Sequence, residues 1–476
     1  MTASNSWAEL RTARLAPLLG LMCLGMWLNA ADTLVTVTIM PSVARAIGGY
    51  EWFGWTVAAY LVGSIMASAC AARLGGDFGV RRMTILFALV YAAGCALGAL
   101  APAMPLFVAG RFIQGIGAGA IVALCYIAIP NNFPERVWPA VFGVISAVWG
   151  VATLLGPMLG GLFAGGQDWR ILFWLFVAQA LVFAALIRLF STADGAVDAP
   201  SGIPVRQLAI LTLSVAALGT ASLVTEPLQT VALVIVSAAG FLILLATGRA
   251  ARVRLLPREA GNLRSAAGQG YFVIFAAEAA AIGFSVYGTA FLQAIHGLSP
   301  LLAGFIIGGI AGGWTVAALL VSRGGERHDA FWLRLGVSVI VGGMIFGSWA
   351  VPRSTPAVAA LAMVLLGSGF GLAWAFLAKA IIGSLEEAER DAGSTAIPTA
   401  QLIGGAFGSA GAGAMAAALG FRDGIDPERA IRLGPWLFLV FLPFGLAALV
   451  GGGGGAWIGR RLELIRWDRH AEGSSK

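Results

Sequence analysis

Apolar runs of about twenty residues return fourteen times along this chain, and nothing else in it constrains the fold as strongly. They fall at about 16–44, 53–72, 83–101, 105–129, 138–163, 170–190, 207–224, 229–247, 270–292, 300–321, 331–350, 357–382, 394–419 and 434–457. A run of that length crosses a hydrocarbon layer as a helix, because each backbone amide then finds its partner inside the segment. Fourteen such spans in 476 residues leave only short connections and no sizeable soluble domain. Charged residues make up 11% of the chain, against roughly 25% in soluble domains, which excludes an ordinary soluble enzyme. The expected fold class is an all-α integral membrane protein.

The net charge of +7 does not point to nucleic acid, because the basic residues, all arginine except Lys379 and Lys476, lie scattered between apolar runs. Their distribution instead sets an orientation. With a cytoplasmic N-terminus only Arg45, Arg170, Arg353, Arg422, Arg429 and Arg432 fall outside, Arg111 lies within a span, and every other basic residue is inside. The inner clusters are Arg73/Arg81/Arg82, the run Arg249, Arg252, Arg254, Arg258 and Arg264, and the tail Arg460, Arg461, Arg466 and Arg469. Both termini are expected in the cytoplasm. The first run follows Arg11 and Arg14 and continues to about Ala44, longer than a signal-peptide core, so it should remain as the first span. Cys23, Cys70, Cys95 and Cys125 each sit in an apolar run without metal or redox spacing and read as small membrane-core residues.

Spans seven and eight stand between two groups of six, after the polar stretch Ser191–Gly202 and before the arginine-rich 249–264. The expected domains are an N-terminal six-helix bundle over 1–200, a two-helix central linker over 201–255, and a C-terminal six-helix bundle with a cytoplasmic tail over 256–476. Gly115-Ile-Gly117-Ala-Gly119 in span four and Gly367-Ser-Gly369-Phe-Gly371 in span twelve occupy equivalent places in the two sixes, the mark of a parallel repeat. Small residues let membrane helices approach closely, so much of the glycine is read as packing. The run Gly451–Gly455 reads as either a flexible helix end or a contact strip.

In span five, Gly143, Ala152, Gly156, Pro157, Gly160 and Gly161 form a small-residue strip with a proline that removes one backbone donor. The segment resembles the antiporter motif of the major facilitator superfamily, Gly-x8-Gly-x3-Gly-Pro-x2-Gly, with Ala152 at the middle glycine. Span four opens with Gly110-Arg111-Phe-Ile-Gln114-Gly115-Ile-Gly117, which is similar to that superfamily's Arg-x-x-Gln-Gly-x-Gly pattern. An arginine about 9 Å inside a helix must face protein or water, or else snorkel to the surface as an anchor. Between spans two and three, Ala72 to Arg82 resembles the superfamily's signature Gly-x3-Asp-Arg-x-Gly-x-Arg-Arg. Aligned on Gly79, with Arg81 and Arg82 in place, the first glycine is Ala72, the aspartate position is Gly76, and Asp77 stands one place late. The resemblance implies a charge latch at these helix ends; basic charge that sets topology is the alternative.

Asp32, about 24 Å from the inner end of span one, is followed nine residues later by Pro41. Burying its charge costs several kcal/mol, so a mid-bilayer carboxyl is a candidate for reversible proton binding; a structural carboxyl bonded to neighbouring threonines or backbone is the alternative. The segment is similar to the Asp-x8-Pro of fourteen-span drug/proton antiporters, with Val37 where that group has an asparagine. Glu278, flanked by alanines in span nine, is a candidate for a second proton site or for binding a cationic substrate, or else a structural acid. Phe291-Leu-Gln293 with Gly297-Leu-Ser-Pro300 also resembles that group. Trp27, Trp149, Phe284, Tyr287, Trp314, Phe370 and Trp374 are candidates to line a cavity, with packing the alternative for each.

The resemblance implies two six-helix bundles plus two central helices, fourteen in all, working by alternating access as a monomer in the cell's inner membrane. It implies proton-driven export of lipophilic or amphipathic small molecules, with proton-linked uptake, or lipid or siderophore transport, as the alternative on the same fold. Asp32, Arg111 and Glu278 are then the proton-coupling candidates. Asp77, Gly79, Arg81, Arg82, Gln114, Gly115, Gly156, Pro157 and Gly160 are the conformational ones. No cofactor or metal is expected: His296, His328 and His470 are isolated, and the chain has no nucleotide loop, zinc-protease motif or nucleophile elbow.

Overall fold

A computed structural model describes residues 12, 15–164, 169–190, 202–251, 253–321 and 329–449. Arg11, Arg14, Arg252, His328, the glycine run 451–455, His470 and the tail arginines lie outside the described residues. The described chain is helical: α1 Leu15–Ile47, α2 Phe53–Phe78, α3 Val80–Leu100, α4 Met104–Asn132, α5 Trp138–Phe163, α6 Trp169–Phe190, α7 Val205–Thr220, α8 Pro227–Ala250, α9 Ala266–His296, α10 Pro300–Val321, α11 Asp329–Arg353, α12 Pro356–Ser384, α13 Arg390–Ala418, α14 Pro427–Leu439 and α15 Leu442–Leu449. Among the described residues, twelve segments are long and apolar enough to cross a membrane, with α14 and α15 together forming one of them. Adding the shorter apolar α7 and the glycine-rich α13 gives the fourteen expected helical segments.

The ends obey local chemistry. Proline opens α4, α5, α8, α12 and α14, where a missing N–H costs nothing. Ser265 and Asp426 cap α9 and α14 by accepting from the amides of Gly268 and Arg429, at 3.1 and 2.8 Å. The last span begins earlier than its apolar run suggests: Asp426 starts a helix whose first turns carry Arg429 and Arg432, and it breaks between Leu439 and Leu442.

The chain divides into two compact units, one of Met1–Pro204 with Ser299–Phe305, the other of Val205–Leu298 with Ile306–Lys476. In the first, α4 lies against α2 and α3, and α1 packs on α4, α5 and α6. In the second, α10 to α12 and α9 with α13 make the corresponding layers, and the central pair α7–α8 belongs to this unit. Phe241 of α8 stacks on Phe275 of α9 and meets Phe407 of α13 edge-on, with centroids 4.9 and 5.0 Å apart. The turn after α7 is held by Arg422, which donates to the carbonyls of Leu223 and Val224. On the far side Arg254 pairs with Glu389 at 3.2 Å.

Glycine explains how close the helices come, and it makes the internal repeat measurable. A Cβ on Gly115 or Gly119 would collide with the backbone of Tyr60 or Ser64 in α2, and one on Gly117 with Tyr91 in α3. In the second unit Gly367 and Gly371 stand in the same way against Ile310 and Trp314 of α10, and Gly369 against Ile340 of α11. The two triplets thus do the same packing. Gly160 of α5 meets Val35 and Thr38 of α1 as Gly408 of α13 meets Ala279 and Ile282 of α9, and Gly156 meets Leu34 as Gly404 meets Phe275, which matches those helix pairs to within one turn.

These contacts predict that size, not glycine content, governs stability. Gly117→Val should lower the thermal midpoint of the detergent-purified protein through overpacking worth about 1–3 kcal/mol. Gly143→Ala, which faces open space, should leave it unchanged or raise it; fluorescence-detected size exclusion after heating measures both.

Candidate functional site: a buried ion pair in the first unit

Asp32 lies at the middle of α1 and is wholly buried, and Arg111, about two turns past the start of α4, is 2% exposed. The snorkelling alternative for Arg111 is not what the structure adopts. Its Nη1 donates to both carboxylate oxygens of Asp32 at 3.0 and 2.9 Å and to Oε1 of Gln114 at 2.6 Å. Gln114 in turn donates from Nε2 to Asp32 at 2.9 Å and reaches Cys95 Sγ at 3.2 Å. Asp32, Arg111 and Gln114 therefore close a ring in which both ends of the amide are used. Thr36 donates to Asp32 from the next turn at 3.2 Å, and Arg111 Nε donates to the Thr56 carbonyl at 3.3 Å.

The placement follows from helix geometry. Arg111 and Gln114 are three apart on α4, so they share a face, and Gly115 lets that face reach α2. A desolvated ion pair needs such extra bonds, since Coulomb attraction alone seldom offsets the loss of water.

The other candidates fall elsewhere. Asp77 and Arg73 form an exposed 2.7 Å pair one turn apart within α2, which stays helical to Phe78. The connection to α3 is therefore the single residue Gly79, at φ 92°, a backbone conformation that favours glycine. Arg81 donates to the Arg188 carbonyl at the end of α6, where a cation suits the helix dipole, and Arg82 is exposed. Gly156 and Gly160 seat α5 against Leu34 and Thr38 of α1, with Pro157 between them inside the helix. In the second unit Glu278 of α9 is half-buried and accepts from Gln401 Nε2 of α13 at 3.2 Å. Lys379 pairs with Asp329 at 2.7 Å. Of the candidate aromatics, Phe284 and Tyr287 are buried and Trp149 is exposed, while Trp314 stacks on Phe370 with centroids 5.1 Å apart and Trp374 beside them.

Sequence reasoning missed Tyr60, Asn29 and Cys95 as members of the site, while a threonine partner for Asp32, here Thr36, was among its alternatives. Tyr60 lies with its ring over the Arg111 guanidinium, 4.3 Å from carbon to centroid, and donates its hydroxyl to Asn29 Oδ1 at 2.7 Å. The signal available was that Asn29, Asp32 and Thr36 follow one another three and four apart along α1, hence on one face.

The Major Facilitator Superfamily model matches residues 22–409. The chain belongs to that superfamily. It is a multi-pass membrane transporter rather than an enzyme. It is 29% identical over 429 residues to a probable multidrug-efflux transporter of Mycobacterium tuberculosis, covering 86% of this chain and 89% of that one. With multidrug resistance protein 3 of Bacillus subtilis it shares 25% identity over 377 residues, 77% and 73% of the two chains. Among solved structures a D-xylose-proton symporter superposes with a TM-score of 0.61 at 17% identity, covering 92% of this chain and 97% of that one. A bacterial homologue of the human lysosomal transporter Spinster gives 0.62 at 15%, with 91% and 94% covered. Both likenesses concern the fold.

Removing one partner of a buried pair costs about 3–5 kcal/mol, whereas replacing both with apolar residues is often neutral. Arg111→Met alone should therefore lower the thermal midpoint of the purified transporter, and Asp32→Ala with Arg111→Met should restore most of the loss.

Proposed function

We propose that this transporter exports lipophilic or amphipathic small molecules in exchange for protons, with Asp32 as the proton-binding group and Arg111 as its fixed counter-charge. The observation that carries the reading is the contrast between the two units at matched positions. Arg111 and Gln114 stand four and one residues before Gly115; the residues four and one before Gly367 are Met363 and Leu366. Asp32 corresponds to Ala276 by the contacts of Gly160 and Gly408, and to Val273 by those of Gly156 and Gly404. A fold that packs with alanine or valine, methionine and leucine at these places does not need the ion pair for its architecture. Retaining a buried charge cluster that packing does not require favours a working role.

In this mechanism a proton reaching Asp32 dissolves its pair with Arg111, and loss of the proton restores it. The two forms then favour opposite openings of the transporter, with substrate and proton selecting between them. Glu278, whose only polar partner among the described residues is Gln401, is a second candidate for proton or substrate-cation binding. The small molecule's class rests on the multidrug transporters named above, and its direction on the resemblance of α5 to the antiporter motif. The arginine distribution supports cytoplasmic termini and, with the resemblance, a monomer in the cell's inner membrane.

The test is substrate-triggered proton flux in proteoliposomes with an imposed pH gradient, using ethidium, tetraphenylphosphonium and a neutral drug beside empty vesicles. Wild type should release protons on substrate addition, and folded Asp32→Asn should release none. Arg111→Ala should pass substrate without a fixed proton ratio. Equal substrate movement by wild type and Asp32→Asn without proton release would make the protein a facilitator, and flux in the opposite sense would make it an importer.

A further inference from the structure

Of the neighbours that Arg111 keeps when Asp32 loses its charge, one acts through the flat face of the guanidinium. The Tyr60 ring covers the guanidinium face, and its negatively polarised π-cloud attracts a cation there whether or not the carboxyl is ionised. Its hydroxyl is fixed to Asn29, the residue three before Asp32, so one side chain of α2 ties the cation of α4 to the turn of α1 that carries the carboxyl. The ring itself cannot drift: α4 comes so close at Gly115 that a Cβ there would strike the Tyr60 carbonyl, and Tyr60 is 4% exposed.

The repeat provides an internal control. The residue of α10 packed against Gly367 as Tyr60 is against Gly115 is Ile310, and the residue in place of Arg111 there is Met363. An aromatic stands at this position in the unit that holds the arginine and an aliphatic in the unit that does not. Helix packing alone accepts either.

We propose that Tyr60 is a positioning residue of the proton site, holding the Arg111 guanidinium in place through both protonation states of Asp32 so that the pair re-forms on the same geometry each cycle. The proposal rests on the assignment of Asp32 as the proton-binding group. When Asp32 takes up a proton, Arg111 loses its counter-ion and keeps Gln114 Oε1, the Thr56 carbonyl and the Tyr60 ring. Without the ring the ionised state loses the whole contact, whereas the neutral state loses less, because Arg111 is then free to leave. The difference makes protonation easier. The groups facing Asp32 are Arg111 and Gln114 from α4, Tyr60 from α2, Tyr91 and Cys95 from α3, and Thr36 from its own helix. The α5 helix has no titratable residue, and those of α6, Arg170 and Arg188, lie at its ends.

The test is an infrared pH titration of the full-length purified protein, following the protonated-carboxyl band that Asp32→Asn abolishes. Tyr60→Leu should move its midpoint to higher pH by up to about 1.5 units, the upper worth of a cation–π contact. Tyr60→Phe, which keeps the ring and loses only the bond to Asn29, should stay near wild type. Pentafluorophenylalanine at position 60 keeps the shape of a ring but withdraws its π-charge, and should shift with Tyr60→Leu even if that variant folds poorly. A purely structural role would lower the yield of Tyr60→Leu and leave all midpoints in place. Unchanged midpoints in Tyr60→Leu and the fluorinated variant, with the Asp32 band titrating normally, overturn the role of Tyr60 alone. A wild-type protein whose Asp32 band never titrates while transport proceeds overturns the proton-site reading itself, and this inference with it.

Discussion

A carboxylate and a guanidinium held out of water in the middle of a helix bundle are the demand around which the first unit is arranged. Their attraction is not sufficient on its own, because each ion gives up hydration worth more than a single contact returns. What makes the pair tolerable is the saturation of its remaining lone pairs and protons by Thr36, Gln114 and the Thr56 carbonyl, together with the Tyr60 face. These partners come from three helices. They can converge only if α4 lies almost in backbone contact with α2, which is what Gly115 and Gly119 permit. Close packing and buried charge are thus one problem with one solution.

The second unit has the same close packing without the charge. Its glycine triplet meets α10 and α11 as the first meets α2 and α3, but the space beside it is filled by Ile310, Ile340, Met363 and Leu366. Two halves built on one helical template have therefore separated backbone architecture from site chemistry. Any substitution in the polar cluster can be compared with a natural apolar arrangement in the same chain. This separates what the fold needs from what the site adds.

Much of this was legible in the sequence, for reasons of scale. A span announces itself by twenty consecutive apolar residues, and the positions of α1 to α13 follow from that within a few residues. The last span did not, because Arg429 and Arg432 interrupt the apolar signal in turns that Asp426 nonetheless caps. Asp32 and Arg111 were each visible as costly charges. Their pairing was not, since a membrane helix apolar on all sides gives no amphipathic stripe from which to assign a face. Tyr60 was hidden more thoroughly, because a tyrosine in an apolar run is ordinary packing until an arginine is seen beneath it. The glycine echo was legible as a pattern, and only the contacts gave it a register.

That register also removes an apparent symmetry. Two acids in the first helices of two repeats suggest twin sites, yet Glu278 aligns with Leu34 by the contacts of Gly160 and Gly408 and with Val37 by those of Gly156 and Gly404, in neither case with Asp32. Two or five residues along a helix is a rotation of about 200° or about 140°, so the two carboxyls take different directions on equivalent helices. Their partners differ in kind as well. A glutamine amide can donate to a carboxylate or accept from a neutral acid, so Gln401 suits Glu278 in either protonation state. Arg111 can only donate, and when Asp32 is neutral its charge needs another home. The cost of exchanging a proton therefore falls on the first unit, where the cation is fixed, and there Gln114 Oε1, the Thr56 carbonyl and the Tyr60 face are the neighbours whose attraction for Arg111 does not disappear with the proton.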